Sequence, residues 1–410
     1  MRRKKILAVA VAGALSGSAG VALAAGGAEG NYTIYGKLYP QVSSYDYSSP
    51  TQPGTTVSTL VDPVTAPTAA HLRRSTIDVS NSRIGFRGSE KLGGSLTALF
   101  QIEQRTRFDN GTGTWAGGRD SFIGLSGSLG TFRLGNMDTA YKNAGDPIGI
   151  LGISSGNFVS SSGVLSQGPV SDTLDFHLRQ PNVMNYESPE FFGLQFTGSW
   201  GKDEFKGNPN RGVNGLLNSY ALKYEMGPVY VALGHEIHHD FFGGSNSFSP
   251  VANPTDGANV RSRDSATRLT GMVKFGNTRV SLDLAQIEAT ESGVIAAGNF
   301  KDYKNKRMSL VAEQKFGPWT VAGSFVNSDE GTCTLEGGAN CSTAGLDGRV
   351  INLGLSYAFS RRTYAFFLLS QLKNGDSASY DTTAINPAGS SAPQTGEDVT
   401  AIGIGVNHNF

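Results

Sequence analysis

The sequence predicts an all-β fold, a transmembrane antiparallel β-barrel of sixteen strands, and three observations support this prediction. From residue 31 to the end, apolar and polar residues alternate with a period of two, as in strands with one apolar and one polar face. The segments between these strands alternate between short turns and long polar loops. Aromatic residues gather near the predicted strand ends, where membrane interfaces favour them.

The first 24 residues have the three parts of a secretory signal peptide. Basic residues at positions 2–5 precede an apolar stretch at 6–15, and small residues follow up to Ala24, where we expect cleavage before a barrel domain of residues 25–410. A retained anchor helix is the alternative, which the short apolar stretch disfavours. Removing four of the 34 basic residues leaves 30 against 34 acidic ones, and a net charge of about −4 excludes a basic nucleic-acid-binding protein.

The rest of the composition excludes two further classes. Beyond residue 25 no apolar run approaches the ~18–20 residues of a membrane helix, since the longest, at 364–369, has six. The chain has only two cysteines, Cys333 and Cys341, in a glycine-rich segment, which predicts one disulfide that closes an exposed loop. Two isolated cysteines are a poor metal site, so we expect no metal.

The alternation is visible strand by strand. In the first predicted strand, Ile34 and Leu38 share one phase while Lys37 lies in the other. The second, at 75–88, changes phase halfway, which predicts a β-bulge near Asn81.

The connections separate a membrane barrel from other β folds. Two-residue turns such as 227–228 and 276–277 alternate with long polar loops such as 240–263 and 373–397. Strands of ~9–11 residues with short turns at one end and long loops at the other are typical of outer-membrane barrels. Because lipid offers no hydrogen bonds to a sheet edge, such a sheet must close.

A secreted β-sandwich or β-solenoid is the alternative fold. Several charged residues lie in the phase opposite the apolar one, namely Lys37, Glu103, Arg105 and Asp283. A packed protein core excludes such charges, whereas a water-filled lumen accommodates them. The pattern therefore favours the barrel.

The longest interruption of the pattern spans residues 137–180, after a short predicted strand at 131–136. Long loops without secondary structure are usually functional in compact folds. If the strands close into a barrel, we expect this constriction loop to fold into the lumen and narrow it.

The candidate constriction combines inward-facing basic residues with acids on the wall and the loop. The candidates are Lys37, Arg83, Arg105 and Arg133 as a basic wall, Glu103 as a wall acid, and Asp138 and Asp146 as loop acids. Opposed charges set a transverse field across a narrow channel and select ions. Each residue has a plainer alternative role as a solvated charge or a brace for the loop. Because screening over a Debye length of ~8 Å leaves the local cluster to decide, we predict a mild anion preference.

One motif resembles that of an enzyme, but its predicted secondary structure does not fit the chemistry. His235 and His239 bracket a zinc-protease pattern, which requires a helix to bring its first and fifth residues onto one face. The sequence before them is a predicted strand, on which four residues span roughly 13 Å, too far for one zinc ion. Phosphate-binding and nucleophile motifs are also absent from the sequence, so we predict neither enzyme activity nor a cofactor.

Three stretches resemble the Gram-negative general porins of the neisserial type. They are SRIGFRGSEKLGGSL (82–96), YESPEF (186–191) and the terminal GIGVNHNF (403–410). The resemblance covers nearly all of the mature chain. One departure is Asn136, where many relatives carry an arginine.

The resemblance implies a homotrimer of sixteen-stranded barrels in the outer membrane, each with an aqueous pore narrowed by its third loop. It implies Phe410 as the aromatic end that the outer-membrane insertion machinery reads. It also implies membrane lipid, lipopolysaccharide, and small solutes and ions as partners. We therefore expect passive diffusion of small hydrophilic solutes. A solute-specific channel would instead show saturable block by its substrate, and a surface-interaction barrel would show no conductance.

Overall fold

The computed structural model describes residues 31–51, 71–109, 118–151, 158–169, 174–177, 179–202, 215–240, 260–295, 297–298, 300–381 and 392–410. The predicted signal peptide lies outside these residues, as do parts of the predicted constriction loop. In the described part of the chain, no helix is long and apolar enough to cross a membrane.

All strands belong to one antiparallel sheet. In chain order they are β1 (Asn31–Leu38), β2 (Gln41–Tyr47), β3 (Arg74–Asp78), β4 (Arg83–Gly93), β5 (Leu96–Arg105), β6 (Ser121–Gly127), β7 (Gly130–Asp138), β8 (Arg179–Glu187), β9 (Leu194–Lys202), β10 (Leu216–Met226), β11 (Val229–His239), β12 (Val260–Phe275), β13 (Thr278–Gly293), β14 (Phe300–Phe316), β15 (Trp319–Ser328), β16 (Thr332–Leu335), β17 (Gly348–Ala358), β18 (Thr363–Asn374) and β19 (Val399–Asn409). Two short helices, α1 (Ala140–Ala144) and α2 (Ser162–Ser166), lie between β7 and β8.

The sheet closes into a barrel of sixteen wall strands, as the sequence predicts. Strands β1 and β2 form one interrupted wall strand, β3 and β4 form the next, and β16 pairs only with the end of β14. The first wall strand pairs with the last, β19, so no sheet edge faces lipid.

The two interruptions face each other. Pro40 separates β1 from β2 and has no N–H to donate to the ladder. Beside it, at the position where the phase change predicts a bulge, a turn separates β3 from β4, and the Ser82 amide donates to the Val79 carbonyl at 2.7 Å. The Tyr39 amide donates to Ser82 Oγ at 2.8 Å, so a side chain replaces the missing ladder bond.

Side chains alternate between an exposed apolar outer face and a polar inner face. Leu284, Leu353 and Ile404 are 48%, 51% and 62% exposed on the outside, while Asp283 between two such leucines is fully buried inside. Such a continuous apolar belt is unusual on a protein surface in water and is expected where hydrocarbon surrounds the barrel.

The chain ends in contact with its own beginning. Phe410 and Gly36 exchange two backbone hydrogen bonds of 3.1 Å. A Cβ atom on Gly36 would lie 2.3 Å from the Phe410 ring, so only glycine leaves room for this aromatic ring at the closure of the barrel.

The predicted disulfide lies in the segment between β15 and β17. Cys333 and Cys341 are bonded, with their Cα atoms 5.2 Å apart. The bridge closes the short β16 hairpin, and the Cys341 amide also donates to the Cys333 carbonyl at 3.1 Å. It therefore lies at the long-loop end of the barrel, away from the wall ladder.

Candidate pore constriction

Basic residues of three neighbouring strands meet on the inner face. Lys37 on β1 is the cross-strand partner of Arg83 on β4, and Arg83 is the partner of Arg105 on β5. Like charges directly opposite one another destabilise a sheet, so we expect nearby acids that offset the repulsion or a function that benefits from the positive charge. Three of the four predicted basic residues are thus adjacent.

Glu103 lies within this basic wall and is largely neutralised. Its carboxylate accepts a hydrogen bond from the Tyr35 hydroxyl at 3.0 Å and lies 3.7 Å from the Arg83 guanidinium. It also pairs closely with Arg119. Because Glu103 is only 7% exposed, it holds the arginines in place more than it presents a charge to solvent. Among the described residues, no carboxylate lies within 4.0 Å of the Arg105 guanidinium.

A second group joins the base of the segment between β7 and β8 to the same wall. Arg179 lies 2.7 Å from Asp120 and 2.9 Å from Asp138. Lys142 lies 2.9 Å from the same Asp138 carboxylate. Asp138 is therefore shared by two cations and leaves no uncompensated negative charge.

The charges around this wall do not balance. The basic members are Lys37, Arg83, Arg105, Arg119, Lys142 and Arg179, and the acidic members are Glu103, Asp120 and Asp138. Within the described part of the chain, six cations against three anions leave this group with a net positive charge.

Asp146 lies on the opposite wall instead of facing the basic cluster. Its carboxylate is 2.9 Å from the guanidinium of Arg268 on β12, which also lies 2.8 Å from Asp283 on β13. Ser161 donates a further hydrogen bond of 3.0 Å to Asp146. The predicted loop acid is thus an ion-pair partner of the wall.

The structure does not bring Arg133 to the cluster. Its guanidinium lies 3.3 Å from Glu187 and 3.2 Å from Asn185, close to the short-turn end of β7. Glu187 belongs to the YESPEF stretch that carries the resemblance. Arg133 is therefore charge-compensated at a different level of the barrel.

Loop L3, which we define as residues 139–178 between β7 and β8, is tied to inner-face residues from its first turn. The Ala140 and Tyr141 amides at the start of α1 donate to the hydroxyls of Ser199 and Ser219 at 3.0 and 2.8 Å. These amides have no partner within the helix, so the strand serines satisfy them. Thr139 caps the same helix through its hydroxyl.

The middle of L3 packs against the strands from β13 to β19 and against Tyr39 and Tyr45 of the first wall strand. The apolar cluster that it joins contains Ile148, Ile150, Leu151, Phe158, Val159, Val164 and Leu165 of the loop and Ala285, Val311, Ala322, Val326, Val350, Phe366, Leu368, Leu372, Val399 and Ala401 of the strands. The Tyr364 hydroxyl donates to the Leu151 carbonyl at 2.5 Å. Arg307, 3% exposed, donates to the Val164 carbonyl at 3.0 Å and to the Gln167 carbonyl.

The loop and the basic wall border the same space. A cavity of about 400 Å³ is lined by Lys37 and Arg83 of the basic wall, by Leu151 of L3, and by Glu313 and Lys315 of β14. One cavity therefore has lining residues from both L3 and the basic wall.

A buried histidine lies near the Asp146 anchor. The His177 ring is 4.0 Å from Asp146, and its backbone amide donates to Asp175 at 2.6 Å. Burial lowers the pKa of His177 well below its ordinary value of 6.5, and nearby Lys142 and Arg268 lower it further. Burial raises the pKa of the Asp175 carboxyl.

The zinc-protease pattern lies on a strand. His235 and His239 are both in β11, and the His235 ring lies 2.8 Å from the Thr267 hydroxyl. In the part of the chain that the structure describes, no group of three metal-ligating side chains is found.

Three arginines of the site were missed by sequence reasoning. Arg119 and Arg179 stand at the ends of predicted loops, where a charge has no assigned face. Arg268 lies in the polar phase of its strand, between Thr267 and Leu269, and that phase was the signal that could have identified it.

A closed sixteen-stranded barrel with an apolar belt and a charged inner face is the architecture of an outer-membrane channel protein. The sequence model of the Gram-negative porin family matches residues 8–377, and the chain belongs to this family. It is therefore a channel protein of the outer membrane, not an enzyme, as the sequence predicts.

Relatives and solved structures agree with the family and the fold. The chain is 28% identical over 308 residues to the major outer membrane protein P.IB of Neisseria lactamica, covering 75% of this chain and 82% of the relative. It is similar in fold to the anion-selective porin from Comamonas acidovorans, with 22% identity, a TM-score of 0.66, and coverage of 93% and 100% of the two chains. The trimer form of OmpT of Vibrio cholerae has 14% identity and a TM-score of 0.60, with coverage of 93% and 99%.

Proposed function

We propose that this porin passes small hydrophilic solutes and ions by passive diffusion, and that L3 lies in the lumen and narrows the pore. The observation that carries the proposal is the shared cavity. It is bordered by Leu151 of the loop, which contacts Tyr364 of β18, and by Lys37 and Arg83 of the basic wall. Size exclusion between loop and wall then limits which solutes pass.

We further propose a mild preference for anions. Six cations stand against three anions around the wall, and Arg105 has no carboxylate within 4.0 Å among the described residues. At physiological ionic strength the Debye length of ~8 Å confines the influence of distant charges, so this cluster outweighs the net charge of the chain. The constriction candidates are then Lys37, Arg83, Arg105 and Glu103 as predicted, with Arg119 and Arg179 added.

The assembly and its biogenesis are part of the same proposal. We infer that residues 1–24 are removed on export and that Phe410, hydrogen-bonded to Gly36 at the barrel closure, forms the signal for the insertion machinery. A homotrimer is supported by the trimer form of the OmpT neighbour. Membrane lipid and lipopolysaccharide surround the apolar belt.

Planar-bilayer recording of the full mature chain tests this function. We expect ohmic conductance steps in KCl and, in a tenfold salt gradient, a reversal potential of the sign that indicates anion preference. Absence of any steps would favour a surface-interaction barrel. Saturable block by one solute would favour a solute-specific channel. A cation-selective reversal potential would reject the proposed anion preference of the basic wall but would leave the channel function standing.

A further inference from the structure

The base of the last loop is buried next to L3. Loop L8, which we define as residues 375–398, joins β18 to β19, and we call residues 375–381 the L8 base. Within the L8 base, Tyr380 is 1% exposed. It belongs to the apolar cluster that contains the middle of L3 and the inward-facing Val326 and Val350 of β15 and β17. The L8 base therefore packs against both L3 and the barrel wall.

Tyr380 is held in one position by both its backbone and its ring. Its amide donates to the Asn374 side chain at 2.8 Å, and the Asn374 side-chain amide donates to the Tyr380 carbonyl at 3.2 Å. Its hydroxyl lies 2.8 Å from Ser328 Oγ and donates to the Leu346 carbonyl at 3.3 Å. A Cβ atom on Gly348 would lie 2.2 Å from the ring, so the wall has room for this ring because residue 348 is glycine.

The L8 base and L3 are also joined directly. The Ser379 amide donates to the Pro169 carbonyl of L3 at 2.7 Å. Arg307 of β14 donates to the Val164 carbonyl of L3 at 3.0 Å, and its guanidinium lies 5.7 Å from the centre of the Tyr380 ring. Arg307, Val164 and Tyr380 are at most 3% exposed. Water therefore does not reach the place where the two loops meet the wall.

We propose that the L8 base closes the space between L3 and strands β14 to β17 and thereby directs solutes along the basic wall. Tyr380 is the side chain that fills this space, so it acts as a specificity-determining residue of the channel. The inference rests on the proposed function, in which L3 lies in the lumen and narrows the pore. It adds a second loop to the constriction.

The closed space differs in charge from the basic wall. Val326 and Val350 bring no charge to it, and the Arg307 guanidinium is bound to L3 carbonyls. Strand β15 lies four strands from β1, which is about 19 Å along the wall and more than two Debye lengths of ~8 Å. An ion that passed beside β15 would therefore meet little of the field of Lys37 and its neighbours.

The reactivity of a cysteine beneath Tyr380 tests whether the space is closed. The full mature chain with S328C is inserted in a planar bilayer and exposed to a cationic methanethiosulfonate reagent. The two native cysteines are bonded to each other and do not react. Because Ser328 is fully buried, S328C should react slowly. S328C/Y380A should react on the order of 100-fold faster, since loss of a buried ring opens the contact, whereas S328C/Y380F keeps the ring and should react like S328C.

The same strand supplies a matched control. Thr320 shares the inward phase of Ser328 on β15 and lines the cavity between L3 and the basic wall. It lies about 26 Å from Ser328 along the strand. T320C should therefore react rapidly whether residue 380 is tyrosine or alanine. Rapid reaction of S328C, or slow reaction of S328C/Y380A in a channel where T320C reacts, would overturn the inference alone. A chain that does not conduct, or in which T320C does not react, would refute the proposed function and the inference with it.

Ion selectivity provides a second readout. Y380A should raise the conductance and shift the anion-to-cation permeability ratio toward one, whereas Y380F should leave both unchanged. G348A keeps the tyrosine but displaces its ring, because the added Cβ atom would lie 2.2 Å from it. G348A should therefore shift the permeability ratio in the same direction as Y380A. An unchanged ratio in both variants would overturn the inference.

Discussion

Replacing Arg268 by methionine is expected to release L3 from the barrel wall. The Arg268 side chain is 1% exposed, and its guanidinium lies 2.9 Å from Asp146 of the loop and 2.8 Å from Asp283 of the wall. The loop backbone passes directly against it, since a Cβ atom on Gly145 would lie 1.8 Å from the guanidinium. One buried cation thus joins the loop to two strands.

The magnitude follows from the carboxylates left behind. Removing one partner of a buried ion pair costs about 3–5 kcal/mol, because the remaining charge is uncompensated. Asp146 and Asp283 are at most 7% exposed, so R268M should fall in this range. At 1.4 kcal/mol for each factor of ten, the population of released loop rises by on the order of 10²- to 10⁴-fold.

Single-channel recording measures this release as added current noise and a larger mean conductance. The triple variant R268M/D146N/D283N should restore steady current, because it removes the stranded charges together with the cation. Arg307→Met is the matched control, since this buried arginine donates to the neutral Val164 and Gln167 carbonyls of the same loop. We expect a cost of about 1–3 kcal/mol there and correspondingly less noise.

The reasoning would be refuted by R268M channels with unchanged conductance and noise. It would also fail if the triple variant were as noisy as R268M, because the stranded carboxylates would then not be the cause. Correct insertion of each variant is checked by its resistance to unfolding in detergent at room temperature.

Three further predictions concern selectivity, pH and the disulfide. Arg105→Gln should lower the anion-to-cation permeability ratio about sevenfold, because one charge about 7 Å from the ion in water changes the energies of an anion and of a cation by ~0.6 kcal/mol each, in opposite directions. Arg133→Ala should change this ratio less because Glu187 compensates Arg133, and equal reversal-potential shifts in the two variants would contradict this. Because the pKa of His177 in the folded protein lies below 6.5, the contribution of His177 to the stability of the closed loop is complete above pH 6.5 and declines as the pH falls below it. H177Q should therefore show less acid-induced current noise than the unmodified chain. An identical noise profile in the two proteins would exclude His177 as the cause. Replacing Cys333 and Cys341 by serine should cost about 2–3 kcal/mol of local stability. We expect faster proteolysis of the β16 hairpin and an unchanged conductance. An altered conductance would indicate that the bridge lies in the pore.

Period-two alternation was sufficient to predict the wall of the barrel. In β7, Phe132 and Leu134 are outward and 49% and 59% exposed, and Arg133 between them is turned inward, as the pattern predicts. Such a prediction succeeds because a strand has only two faces, so one apolar residue fixes the orientation of its neighbours.

The partners of the charges could not be predicted in the same way. Asp146 pairs with Arg268, 122 residues further along the chain, and Asp138 pairs with Arg179, 41 residues away. Alternation places Arg268 inside and assigns no face to Arg179, and which strand a loop reaches depends on the path of the loop. That path is set by contacts such as those of Tyr141, whose amide donates to Ser219, and no periodicity encodes them.

This difference bears on how charge selectivity arises in the pore. A loop acid near a wall arginine gains more from a direct ion pair than from facing water across a channel, because the low-dielectric site strengthens close pairs. Asp138 and Asp146 have therefore become anchors, and Glu103 has become a brace. Under the proposed anion preference, the cations that these acids leave uncompensated, above all Arg105, set the field that a solute meets. Counting charges along the sequence overstates the acidic side of such a pore, because the acids that fix the loop no longer act on the solute.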